Sequence, residues 1–147
     1  MEVLMGGWFP LVVVLTPIVV IALVVAVKIK GYMDAYVPWS IVVAKNGTVR
    51  LIIKTKAGER EILVRDFDVK ESSEVLEVRI NGLGFGRYQL GEYKGPFGYV
   101  KSYAVSRKGL LVTDVRGKRY YLAFEKVDDV LKALRGGPGK TEIKVRG

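Results

Sequence analysis

The chain has no cysteine and no histidine in its 147 residues. Without cysteine there is no disulfide and no thiolate metal site, so the fold rests on packing alone. Without histidine, the commonest general base and the commonest transition-metal ligand are both missing. Ser-His and Cys-His nucleophile systems are thereby excluded. The sequence reads as non-enzymatic, with no catalytic residue, no cofactor and no metal site expected. Basic residues are also absent from one region. None of the 24 Lys and Arg precedes Lys28, and Trp8 to Val27 carries no charged side chain.

That uncharged run of 20 residues would span about 30 Å as a helix, the thickness of a hydrocarbon core. A single span in lipid can satisfy its backbone only as a helix, whatever its β-branched content. Pro10 suits a first turn, whereas Pro17 lies in the interior and should kink or loosen the helix. Trp8 and Tyr32 flank the run at the depth of interfacial aromatics. A cleaved signal peptide would want a basic n-region and a shorter apolar stretch, and Met1 to Gly7 offers only Glu2. A core helix would be shorter and amphipathic. Residues 8–27 are therefore read as a single-pass membrane helix. Lys28 and Lys30 on one flank, against Glu2 on the other, put the N-terminus outside and the C-terminal domain in the cytoplasm. The lack of cysteine agrees with a reducing compartment. Ala22-x-x-x-Ala26 has the spacing that lets two helices approach closely, so homo-oligomer contact is one use of the anchor.

Residues 28–38 read as a juxtamembrane linker with Gly31 and Pro38 as breakers. From Trp39 the apolar period becomes 2. Strands are expected over Trp39–Ala44, Thr48–Thr55, Arg60–Phe67, Val75–Ile80, Tyr99–Val105, Leu110–Val115 and Arg119–Phe124. Asn46-Gly47 is the strongest hairpin signal among them. Val127, Val130, Leu131 and Leu134 then recur at helical spacing, predicting an amphipathic helix over about 125–135 that ends before Gly136-Gly137-Pro138. Residues 136–147 form a basic tail, with Thr141 to Val145 as a candidate extended stretch.

Seven antiparallel strands followed by one amphipathic helix suggest a barrel or sandwich whose open mouth the helix closes. One segment carries a closer likeness: Arg79-Ile80-Asn81-Gly82-Leu83-Gly84-Phe85-Gly86-Arg87-Tyr88-Gln89-Leu90-Gly91-Glu92-Tyr93. It resembles the glycine-rich stretch of a prokaryotic pleckstrin-homology-like domain family, often carried behind transmembrane helices. Tyr120-Tyr121-Leu122-Ala123-Phe124 and the helix after it are similar too, and the likeness covers about Trp39 to Arg135. Arg87 before Tyr88 and Glu125-Lys126-Val127 at the helix start depart from the pattern. The resemblance implies a PH-like domain, residues 39–135, and implies architecture far more than activity.

Gly82, Gly84 and Gly86 match neither a dinucleotide fingerprint nor a P-loop, and no helix follows them to receive a phosphate. They read as a bulged crossover that folds Phe85 and Tyr88 onto the barrel. Asp128-Asp129 suits the positive end of a helix, Asp66 and Asp68 share a strand face without a partner base, and Glu71, Glu74 and Glu77 read as solvated charges. Charge is the remaining signal. Glu2 is the one acidic residue ahead of Lys28, so beyond it 24 basic residues face 14 acidic ones. Lys45, Arg50, Arg107, Lys108, Arg116, Lys118 and Arg119, concentrated in turns, are the candidate contacts to anionic headgroups or to a protein partner. Each basic side chain reaching an anionic leaflet adds about 1 kcal/mol. A tight Asn46-Gly47 turn argues against specific inositide recognition, and no aromatic-basic stacking motif points to nucleic acid. The resulting expectation is a membrane-anchored binding or scaffolding module. Its competitor is a structural subunit of a larger membrane complex, assembled through anchor and barrel edge.

Overall fold

The computed structural model describes residues 2–145, with side chains from residue 13 onward. The expectations on Trp8, Pro10 and the end of the basic tail lie outside these side chains. The chain divides into two compact units, Met1–Gly31 and Tyr32–Gly147.

The first unit belongs to one long helix, α1 (Glu2–Tyr36). Its apolar side chains from Val13 to Val27 are exposed to surroundings other than protein. Val13–Tyr36 is long and apolar enough to cross a membrane and has none of its most apolar window buried. Such a helix near the N-terminus fits a single-pass anchor or a signal sequence. It runs through Pro17 and Gly31 without a break in assignment, so most of the stretch read as a linker is helical. One glycine costs a helix only about 1 kcal/mol, little against 35 residues of hydrogen bonding.

The second unit is mainly β, and it is not a closed barrel. Its strands are β1 (Pro38–Asn46), β2 (Thr48–Thr55), β3 (Gly58–Glu71), β4 (Val78–Phe85), β5 (Tyr88–Gly95), β6 (Gly98–Ala104), β7 (Lys108–Asp114), β8 (Arg119–Ala123) and β9 (Gly139–Lys144). They form one open mixed sheet in the order β4-β5-β6-β8-β7-β3-β2-β1-β9. The expected seven antiparallel strands become nine, because the glycine-rich segment supplies β5 and the tail supplies β9. Closure would need β4 to meet β9, and these stand at opposite ends of the order. The arrangement is mixed because β8 inserts between β6 and β7 and runs parallel to β6.

Strand β3 explains how an open sheet still encloses a core. Its first half pairs with β2 up to Leu63, and its second half pairs with β7 from Val64, across a register shift before Asp66. One 14-residue strand thus belongs to both halves of the sheet, which fold towards each other about it. Between the halves lie Ile41, Leu51, Ile53, Ile62, Leu110, Val112, Leu122 and Phe124, closed off by Val127, Val130 and Leu134 of the helix α3 (Val127–Arg135). This is the amphipathic helix expected near 125–135. A second core on the other face gathers Leu111, Tyr121, Ala123, Tyr93 and Val100 under Val75 and Leu76. β7 and β8 are therefore buried on both faces, which is why their sequences run apolar without alternation.

Two local departures have clear causes. Ser72–Val75 forms a short helix, α2, whose first turn Glu71 and Glu74 cap reciprocally, so the strand expected from Val75 starts at Val78 instead. The expected glycine crossover is instead the β4–β5 hairpin, turning at Gly86 with φ +56°. Phe85 stays exposed there, its ring 5.6 Å from that of Tyr88.

Candidate functional site

The seven basic residues singled out from the sequence do not converge. Lys45 in β1 reaches the end of α3, where its Nζ donates to the Leu134 carbonyl at 2.7 Å and also to that of Gly136. A cation on the last carbonyls of a helix is favourable against its dipole. Arg50 in β2 lies 3.8 Å from Glu61 on the exposed face of β3. Arg107 and Lys108 stand at the start of β7, with Lys108 Nζ 3.5 Å from Asp128. Arg116, Lys118 and Arg119 stand at its other end, six strand residues or about 20 Å away. There, Asp114 accepts from the backbone N–H groups of Arg116 and Lys118, and the Arg119 guanidinium donates to the Phe97 carbonyl at 2.6 Å. The seven are spread over three separate edges of the domain.

Two other features are assembled by the fold. The first is the contrast between the two free sheet edges. β9 presents Lys140, Glu142 and Lys144, the charged dressing that keeps an edge strand from pairing with another chain. β4 presents Val78, Ile80 and Phe85, all about half exposed, and among the described strands it pairs with β5 alone. Its central segment carries one charge, Arg79, and no proline.

The second is a polar cluster on the inward face of the sheet. Arg60 in β3 pairs with Ile53, which is fully buried, and so turns its side chain towards the interior at the mouth of the main core. Its guanidinium lies 5.8 Å over the Tyr120 ring, near enough for the Tyr103 and Tyr120 hydroxyls to act on it electrostatically. Tyr103 in turn packs against Tyr36 at 5.2 Å between rings. Lys101 and Glu92 continue this face, because Glu92 pairs with Lys101 and Lys101 with Tyr120 across three neighbouring strands. Two clefts of about 210 Å³ flank the cluster, one lined by Tyr36, Arg60 and Tyr103, the other by Lys101, Lys118 and Tyr120.

Residues 32–36 hold one wall of this cluster to the domain. Ala57 donates its N–H to the Asp34 carbonyl at 3.0 Å, and the Tyr32 hydroxyl donates to Asn81 in β4.

No family model, curated protein or solved structure matches the chain. Among the described residues, no group of three or more carboxylates stands in a position to hold a metal ion.

Sequence reasoning missed the Arg60 cluster, although the signal was present. Arg60 and Ile62 share a parity in β3, as Lys101 and Tyr103 do in β6, so each charge sits on the apolar side of its strand. Charge on the inward parity is uncommon and informative.

Burial has a measurable consequence here. It pushes the Tyr103 hydroxyl up to about 12 and the Tyr121 hydroxyl higher still. In the unfolded chain both ionise near 10, so between pH 10 and 12 the unfolded state releases protons that the native state keeps. This contribution is intact below pH 10 and is lost as pH rises, at about 1.4 kcal/mol per unit for each tyrosine. Urea midpoints measured from pH 9 to pH 12 should fall accordingly, with a shallower fall in Tyr103→Phe. A flat midpoint across pH 10–11 would contradict the burial argument.

Proposed function

We propose that the chain is a single-pass, membrane-anchored, non-catalytic scaffolding module, with its β domain at the cytoplasmic face. The observation that carries this reading is the β4 edge. An apolar, unprotected edge strand is a template for strand addition by a partner, whereas β9 on the same sheet is dressed against it. Main-chain hydrogen bonds would supply affinity, and Val78, Ile80 and Phe85 would supply selectivity. The dispersed basic turns play a different part in this scheme. Lys45, Arg50, Arg107, Lys108, Arg116, Lys118 and Arg119 give the domain a positive field that favours an anionic leaflet without defining a pocket.

The test uses the full chain in its own membranes. A photo-crosslinking side chain at position 80 should give a discrete adduct with a single partner, and one at position 142 in β9 should give none. Ile80→Lys, combined with a crosslinker at position 78, should remove the adduct. Adducts from both edges, or from neither, would overturn the edge-pairing reading. For the topology, protease added to inside-out vesicles should remove the domain, and protease added to intact cells should leave it whole.

A further inference from the structure

Two of the four buried tyrosines of this domain spend their hydroxyl proton on the backbone. Tyr93 donates to the Leu83 carbonyl at 2.9 Å, and Tyr121 to the Lys70 carbonyl at 2.7 Å. Tyr103 and Tyr120 do not. Among the described residues, neither hydroxyl has a carbonyl or carboxylate acceptor. The polar neighbour common to both is Arg60, which has only donors to offer. Each hydroxyl therefore keeps its own proton to give. Arg60, Tyr103 and Tyr120 together offer an excess of donors. Lys101, on the same face, adds another donor.

The charges follow the same logic. Desolvation first, then Arg60 and Lys118, hold the Lys101 ammonium below its ordinary value against the attraction of Glu92. No carboxylate lies within salt-bridge distance of Arg60 among the described residues; Glu59 lines one cleft and Glu92 lines the other, beside Lys101. Converging cations cost electrostatic energy unless an anion joins them. The clefts are smaller than those that hold whole drug-sized ligands, and their scale suits a single charged group.

We propose that Arg60, Lys101, Tyr103 and Tyr120 form a binding site for a phosphate group, borne by a lipid headgroup or by a soluble phosphate ester. Arg60 supplies the planar fork suited to two phosphate oxygens, the two hydroxyls close on a third, and Lys101 balances the charge. The lipid source rests on the membrane-anchor reading; the soluble source does not. Eight residues lie between Val27 and Tyr36, so even fully extended chain would keep the Tyr36 wall within about 30 Å of the apolar run.

The experiment reads the guanidinium directly in the native, full-length chain. Phenylglyoxal modification of each arginine is followed by mass spectrometry in neutral detergent, in the same detergent with inorganic phosphate at matched ionic strength, and in phosphatidylglycerol bilayers. Saturating ligand should slow modification of Arg60 at least about tenfold, while Arg50 and Arg116 in the same digest change less than about twofold. Protection by phosphate in detergent identifies a soluble ester as sufficient; protection only in the bilayer identifies a headgroup. A bilayer that merely shielded Arg60 would protect it equally in a Tyr103→Phe, Tyr120→Phe double variant, whereas a bound phosphate should lose several-fold of its protection there. No protection under either condition, equal protection of all three arginines, or undiminished protection in the double variant would overturn the proposal. None of these outcomes depends on the crosslink at position 80, so the two readings fail separately.

Discussion

Full-length chain carrying both Val19→Arg and Leu23→Arg is expected in the supernatant of an alkaline extraction, where the unaltered protein stays in the pellet at its full length. Between Trp8 and Val27 there are fourteen Val, Leu, Ile and Phe residues, each favouring insertion by about 0.3–0.6 kcal/mol, or roughly 4–8 kcal/mol together. Most of them are valines, and two prolines subtract from the sum, so the margin is moderate. Each arginine near the helix centre costs about 2.5–3.5 kcal/mol and removes one favourable residue besides. Two of them consume the whole margin. Both positions are more than half exposed, so the substitutions disturb no packing within the chain. The same extraction separates an anchor from a signal sequence. An unaltered protein that is shorter than its sequence and absent from the pellet would mean that the helix is removed, and the anchor reading would fail with it.

Tyr121→Ala is expected to destabilise the domain by about 3–5 kcal/mol, and Tyr121→Phe by about 1–3 kcal/mol. Tyr121 is fully buried in the second core, on a strand that also faces the first core. Truncation to alanine leaves a ring-sized void between Val75, Leu111 and Tyr93, whose positions are set by two different strands and a helix. The phenylalanine variant keeps the ring and removes only the hydroxyl. That hydroxyl donates to the Lys70 carbonyl, with the Arg107 carbonyl at 3.1 Å as a second acceptor, and so ties β8 to the ends of β3 and the β6–β7 turn. For a domain of this size the alanine variant should melt roughly 10–20 °C lower. Thermal unfolding of both variants in one detergent gives the comparison. Equal effects from the two would assign the stabilisation to the hydroxyl alone, and an alanine effect under about 1 kcal/mol would refute the second core.

Local features of this fold were legible in the sequence and long-range ones were not. Asn46-Gly47 produced the β1–β2 hairpin, with Gly47 at φ +78°, because its chemistry admits little else. The 3.6 period from Val127 to Leu134 produced a helix for the same reason. β5 escaped notice because Gly91 and Gly95 dilute its apolar alternation, yet both are needed for close strand approach. A Cβ on Gly91 would lie 2.5 Å from the Asn81 carbonyl, and one on Gly95 would lie 2.0 Å from that of Val75. Strand count and a closing helix suggest a barrel or sandwich, but no local pattern records which strands stand at the ends, and here β4 and β9 stay unpaired with each other. The apolar runs Leu110-Leu111-Val112 and Tyr120-Tyr121-Leu122 did carry a hint, since two-sided burial marks central strands. Arg60 directly follows the turn Lys56 to Glu59, whose composition hides that it shares a strand face with the buried Ile62.

The pairing of β1 with β9 sets a clock on biosynthesis. Ile41 meets Ile143 across that pair, so residues about a hundred apart in sequence must find each other before the sheet has its final edge. While the ribosome is still adding residues to the chain, β1 shows an unpaired apolar flank, Ile41 to Val43, close in sequence to the apolar helix α1. Such contacts are slow to form and expose sticky intermediates in the interval. The last strand to emerge is thus also the one that ends this exposure. Its lysines, useless to the core, keep it from recruiting a stranger once it has docked.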